Sequence, residues 1–201
     1  MEREAGKARR APRSDSIRNR ARLIAAARDV FSAGGPEASL EAVARAAGVG
    51  IGTLYRHFPT REALFQTVYL HEVDQLVALA EDLGSDPDPL AALRRWLHAL
   101  VALVATKRGM LVALAPAPGS ATELYADSWQ KLTSAAGLLM TRAVTAGRIR
   151  SGVAPEDLMR ALMGMCYARD EPDWQRPVGR LVDIFIDGLA ARRADEDHAG
   201  G

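Results

Sequence analysis

The chain has 201 residues, with 26 Lys+Arg against 25 Asp+Glu, 48% hydrophobic residues, 25% charged residues and one Cys. That balance excludes a disordered chain, a collagen-like repeat and a disulfide scaffold, and the length suits one sizeable core or a core with a small appended domain. The charge is uneven: residues 1–70 hold 12 Lys+Arg against 7 Asp+Glu, and the remainder holds 14 against 18, so the basic front is the part suited to a polyanion. The longest purely apolar run, Ala99 to Ala105, falls far short of a bilayer span. The basic N-terminus lacks the apolar core and small-residue cleavage site of a secretory signal. With a lone Cys166 that has no partner for an internal bridge, these features read as a cytoplasmic chain with no membrane partner.

Residues 1–13 are charged, rich in small residues and aperiodic, and read as a flexible basic arm. Ser14 or Asp15 then caps a first helix, along which Ile17, Ala21, Ile24, Ala27 and Phe31 share a face until Gly34-Gly35-Pro36 stops it. Ser39 caps a second helix over Leu40–Ala47, and Gly48 supplies a left-handed stop. A very short third helix fits Ile51–His57, ended by Phe58-Pro59, and Thr60 caps a long fourth helix to about Asp82. After the acidic, Pro-rich loop 84–89, Pro89 starts a helix to about Thr106, with Leu90, Leu93, Leu97, Leu100 and Val104 on one side. Residues 109–119 read as irregular or as a helical fragment. Ser120 and Glu123 have capping-box spacing and open a long helix that Gly147 terminates. Pro155 begins another, to about Ala168, and Pro177 begins the last, to Ala191, before a tail at 193–201 that frays. Alternation of apolar and polar residues is almost absent, so the expected fold is all-α with about nine helices.

The informative stretch is Ser39–Phe58, SLEAVARAAGVGIGTLYRHF. Two short helices joined by a Gly-containing turn are the parts of a helix-turn-helix, whose second helix enters the DNA major groove. Leu40, Val43, Ala44, Ala47, Val49 and Leu54 can pack the two helices together, leaving Gly50, Ile51, Gly52, Thr53, Tyr55, Arg56 and His57 for an outer face. Hydroxyls on Thr53 and Tyr55, cations on Arg56 and Arg61, and a bare backbone at Gly52 suit a close approach to phosphates, and Ile51 suits a thymine methyl. Ser39 and Arg45 complete the set of expected DNA-contacting positions. The charges of the arm, Lys7, Arg9, Arg10 and Arg13, are equally a solvated terminus or a flanking phosphate contact.

This stretch, with Pro59-Thr60-Arg61-Glu62-Ala63-Leu64, closely resembles the DNA-binding domain of the TetR family of transcriptional regulators. The resemblance rests on Leu40–Ala44, Ala47-Gly48-Val49, Gly52-Thr53-Leu54-Tyr55, His57-Phe58 and Leu64, and covers about a quarter of the chain. It implies that Thr53 and Tyr55 touch operator DNA, and that His57 and Arg61 meet phosphates. Gly50-Ile51 departs from the commoner Ser followed by a basic or polar residue, which weakens the cap of the recognition helix. It further implies an N-terminal three-helix DNA-binding domain (14–65, with the helix-turn-helix at 39–58) and a helical ligand-binding and dimerisation domain (66–192). The implied partners are duplex operator DNA, a small-molecule effector and a second copy of the chain.

In the C-terminal half, Leu158, Leu162 and Met165, and likewise Leu181, Phe185 and Leu189, lie at helical spacing as expected for a dimer seam. Trp96, Tyr125, Trp129, Met140, Met163 and Tyr167 are candidates for an apolar or aromatic effector cavity, and are equally plausible as ordinary core. His71, Glu72 and Asp74 lack the second cluster a metal would need, and no cofactor is implied. There is no phosphate-binding Gly loop, HExxH, serine elbow or paired-Cys motif, so an enzyme ranks last. The expected function is a ligand-released repressor on a pseudo-palindromic operator. A TetR-type activator, or a small-molecule-binding protein of the same fold without DNA binding, are the alternatives.

Overall fold

The computed structural model describes residues 12–34, 38–114, 122–169, 171 and 173–191. Eight helices follow one another: α1 (Pro12–Ala33), α2 (Leu40–Ala46), α3 (Ile51–His57), α4 (Arg61–Leu83), α5 (Pro89–Leu114), α6 (Thr122–Thr145), α7 (Pro155–Tyr167) and α8 (Gln175–Leu189). Among the described residues no strand forms; a lone bridge pairs Ile149 with Ala190, tying the loop after α6 to the end of α8. The basic arm up to residue 11, Gly35-Pro36, Ser120 and the tail lie outside the described residues.

Three local rules place the first four helices. Ser39 Oγ accepts the Ala42 N–H at 3.2 Å and Thr60 Oγ1 accepts the Ala63 N–H at 3.0 Å, so both predicted caps satisfy otherwise orphaned donors. Gly48 turns the chain at φ +64° between α2 and α3, a conformation that favours glycine. Leu23, Ala27 and Phe31 of α1 and Val43, Ala44, Leu54 and Phe58 after it are all buried in the one hydrophobic core, which continues into the rest of the protein.

The all-α expectation of about nine helices becomes eight among the described residues, because α5 runs past Thr106 to Leu114 and takes in the described part of the 109–119 stretch. Gly109 disfavours a helix by about 1 kcal/mol relative to Ala. Here the backbone of α1 crosses it so closely that a Cβ at 109 would overlap the Phe31 carbonyl oxygen. Buried Met110 and Leu114 supply the anchoring that local propensity does not show. Two starts also move outward. α1 begins at Pro12, ahead of Ser14, and α8 begins at Gln175, leaving Pro177 in the first turn, where its missing N–H is no loss.

α5 is the hub, in contact with α1, α4, α6, α7 and α8. By length and composition alone it would suffice to cross a membrane, yet half of its most apolar window is buried inside the protein. Asp88 caps it, accepting from the N–H groups of Leu90 and Ala91 at 3.1 and 3.2 Å. Trp96, wholly buried, donates its indole N–H to the Leu76 carbonyl at 2.8 Å and clamps α5 to α4. On the opposite side Arg94 reaches Asp183 at 2.9 Å and Asp187 at 2.5 Å, and His98 Nε2 lies 2.9 Å from Asp183, fastening α8.

The residues expected at a dimer seam differ in exposure within the single chain. Leu158, Leu162 and Leu189 are only 1%, 3% and 2% exposed, and Leu158 and Leu162 lie beside Leu97, Val182 and Phe185. Met165 and Phe185 are half-buried beside Leu97 along that inner seam. Of the six residues expected there, only Leu181 stands outward, and Ile184 beside it is exposed as well.

Candidate nucleic-acid interface and effector cavity

α3 is held from behind and empty in front. Leu54 and Phe58 are 1% and 2% exposed and anchor it in the N-terminal core. Gly50, Ile51, Gly52, Tyr55 and Arg56 are exposed, and Thr53 and His57 partly so. A Cβ added at Gly50 or Gly52 would meet nothing within 4 Å, so neither glycine is required by packing within the protein. Gly50, the N-cap, offers no side-chain acceptor to the first turn. Arg56 Nη2 donates to Thr53 Oγ1 at 2.8 Å, which holds both side chains on one exposed face and leaves the Thr53 hydroxyl proton to point elsewhere. Arg45 on α2 and Arg61 at the first turn of α4 are exposed, while Ser39 is committed to its cap.

Two further cations flank this unit. The Arg20 guanidinium lies 5.3 Å from the centroid of the Phe58 ring, and Arg22 reaches the Gly48 turn. Their signal in the sequence was the Arg18, Arg20, Arg22 run, whose members need the α1 packing angle before their direction is known.

Between α4, α5, α6 and α7 lies a cavity of about 110 Å³. Tyr69, Tyr125, Trp129 and Tyr167 wall it with aromatic surface, and Leu100, Val104, Met159 and Met163 contribute aliphatic surface. Tyr69 and Tyr125 meet edge to face, with centroids 5.4 Å apart, and Lys107 Nζ sits 3.9 Å above the Tyr125 ring. Burial lowers the Lys107 pKa from its ordinary value and pushes the Tyr125 phenol up to about 12. Four of the six expected cavity residues thus converge. Trp96 and Met140 do not: the first is spent on the α4–α5 clamp and the second is packed in the core. Two larger depressions, of about 530 and 670 Å³, lie along α4–α6 and at the junction of α1, α5 and the start of α8. The first carries Glu81, Asp127 and Lys131, and the second Arg108, Glu171 and Asp173, so both are charged grooves.

Sequence reading missed Tyr69 and Lys107. The sign of Lys107 was present: with α5 extended, it falls in register with Leu100, Leu103, Val104 and Leu114 on the inward face. Cys166 is fully buried, and burial pushes its thiol up to about 12. Among the described residues no group of three or more His, Cys, Asp or Glu side chains converges as a metal site would require.

A short two-helix unit with an exposed second helix, mounted on a helical body with an aromatic cavity, defines a helix-turn-helix regulator. Residues 23–68 match the family described as "Bacterial regulatory proteins, tetR family", and residues 88–191 match "Transcriptional regulator SbtR-like, C-terminal domain". The chain belongs to the TetR family of transcriptional regulators. It is similar to the TetR transcriptional regulator SCO0520 from Streptomyces coelicolor, with 41% identity over 87% of this chain and 99% of that one and a TM-score of 0.75. A TetR regulatory protein from Mycobacterium vanbaalenii is 30% identical over 90% of this chain and 100% of its own, with a TM-score of 0.68. The regulator UidR of Escherichia coli is 38% identical over 60 residues, a match spanning 29% of this chain and 31% of that relative.

Proposed function

We propose that the chain is a dimeric repressor that binds a pseudo-palindromic operator and is released by a small-molecule effector. The observation that carries it is the front of α3: Gly50 and Gly52 face open space, although the residues behind them, Leu54 and Phe58, are fully buried. A helix so anchored and so bare suits insertion into a groove. In this reading residues 14–65 hold the DNA, with Thr53, Tyr55 and Ile51 toward base edges and Arg45, Arg56, His57 and Arg61 toward phosphates. Residues 66–192 hold the effector and the partner subunit. Such a role puts the chain in the cytoplasm with the chromosome, and it needs no catalysis.

Two copies would meet through the outer sides of α7 and α8. Leu181 and Ile184 are 46% and 66% exposed on a helix whose inner face is already satisfied. A two-fold mate would cover them and set the two recognition helices about 34–36 Å apart, one turn of B-DNA. Release is a change in that spacing. α4 carries Arg61 at its start and Tyr69 on the cavity wall, with Phe65 stacked on Tyr69 at 6.0 Å and edge-on to Tyr125 at 6.4 Å. An effector that prefers a displaced α4 lowers operator affinity by that preference and no more.

The test is operator binding over a range of salt for Tyr55→Ala and Arg61→Ala. Tyr55→Ala is expected to weaken binding by about 1–3 kcal/mol, and Arg61→Ala to lower the salt slope by about 1. Unchanged affinity and slope in both variants would refute the assigned face. Weak, salt-insensitive association of the wild type with every duplex would favour a ligand-binding protein that does not use DNA.

A further inference from the structure

We infer that the cavity accepts a small organic monoanion, an aryl or short-chain acyl carboxylate, whose acid group pairs with Lys107 while its hydrocarbon lies among Tyr69, Tyr125, Trp129 and Met163. The inference rests on the effector-release reading above and adds the class of ligand to it.

The charge pattern is the first argument. Of the side chains around the cavity, Lys107 alone is ionic, and among the described residues no carboxylate pairs with it. Its ammonium is half-buried and lies 3.9 Å from the centroid of the Tyr125 ring and 5.8 Å from that of Tyr69. Aromatic faces compensate a buried ammonium only in part, and burial without a counter-charge disfavours the charged form, in the direction seen for this lysine. A ligand that brings one negative charge removes that deficit. A neutral ligand leaves it, and a cation worsens it.

Size and shape are the second argument. The void of about 110 Å³ is smaller than the roughly 150 Å³ engineered cavity that takes benzene, which limits the ligand to one ring or a short chain. Met159 and Met163 are the adaptable walls that yield the remaining space, with the acid group directed to Lys107. A single ammonium among apolar walls suits a monoanion; a phosphate dianion would need several donors at once. The position also explains why such a ligand would matter, since Lys107 is on the hub helix and Tyr69 on the helix that begins at Arg61.

Benzoate, benzamide and benzamidine share a shape and differ in charge, and hexanoate and hexanamide repeat the comparison for an acyl chain. Each is titrated into the full chain, followed by indole fluorescence and by melting temperature. The wild type is expected to bind benzoate or hexanoate at least about tenfold more tightly than the matching amide, with benzamidine weakest. Lys107→Met is expected to lose the preference for the acid while still binding the amide, and Lys107→Arg to keep part of it. The inference is overturned if the amide or the amidine binds as well as the acid, or if the preference survives in Lys107→Met. It is equally overturned if neither acid binds up to about 10 mM. The wild-type charge series decides the matter even if Lys107→Met does not fold. Operator binding measured in parallel separates the two readings. A chain that binds the acid through Lys107 yet stays on DNA refutes effector release and leaves the ligand class intact. A chain released only by neutral compounds does the reverse.

Discussion

Gly52→Ala separates what α3 needs for folding from what it needs for DNA. The residue is the second of the helix, exposed, and not among the glycines with positive φ. A methyl group there meets nothing within 4 Å in the free protein. Alanine is favoured over glycine in a helix by about 0.8–1 kcal/mol. For a chain of this size that raises the melting temperature by about 2–4 °C. With α3 in the groove as proposed, the same methyl would point at the DNA, and backbone packed on base edges would leave no room for it. A lost fit worth about 1.4 kcal/mol is a tenfold weaker operator complex. The assay pairs thermal melts of the free protein with fluorescence anisotropy on an operator selected from random duplexes. A higher melting temperature with unchanged operator affinity would refute the assignment of Gly52 to the interface, and a lower melting temperature would refute the local packing argument.

Gly109→Ala has the opposite sign. The new Cβ would collide with the Phe31 backbone, so α1 must shift off α5, and melting should fall by the equivalent of about 1–3 kcal/mol despite the gain in helix propensity. A rise in stability would contradict the close crossing. The hydrogen bond to His98, then that to Arg94, holds the Asp183 carboxyl below its ordinary value. A depressed carboxylate stabilises the fold at neutral pH and loses that contribution as pH falls through its folded value. Asp183→Asn should therefore melt lower at pH 7, with the gap to wild type closing in acid; a gap independent of pH would count against the pairing. Cys166, pushed up to about 12 by burial, should react with iodoacetamide at pH 8 roughly 10³-fold more slowly than a free thiol. A rate near that of glutathione would show the thiol accessible.

Much of the DNA-binding end was legible because its determinants are local. A serine or threonine before each helix satisfies orphaned N–H groups three residues on, and Gly48 can adopt a left-handed turn that other residues resist. The apolar spacing of Leu40, Val43, Ala44 and Leu54 then fixes which faces turn inward, and by subtraction which residues face out. The cavity was legible only in part. Tyr125, Trp129, Met163 and Tyr167 were named with Trp96 and Met140, since all six are large apolar residues, and nothing in composition tells a lining from a core.

By itself, then, the order of residues determined the helical class, the extent of α2 and α3, and the outward set on α3, each a matter of neighbours within a turn or two. Only the tertiary structure decided where α5 ends, because the crossing of α1 over Gly109 outweighs a local preference against helix there. It also decided that Leu158, Leu162 and Leu189 belong to the interior, since a periodic stripe shows that a helix has an apolar face but not which neighbour covers it. And it brought Lys107 over Tyr125, 18 residues apart on two different helices, where burial rather than sequence context sets the charge that the cavity offers.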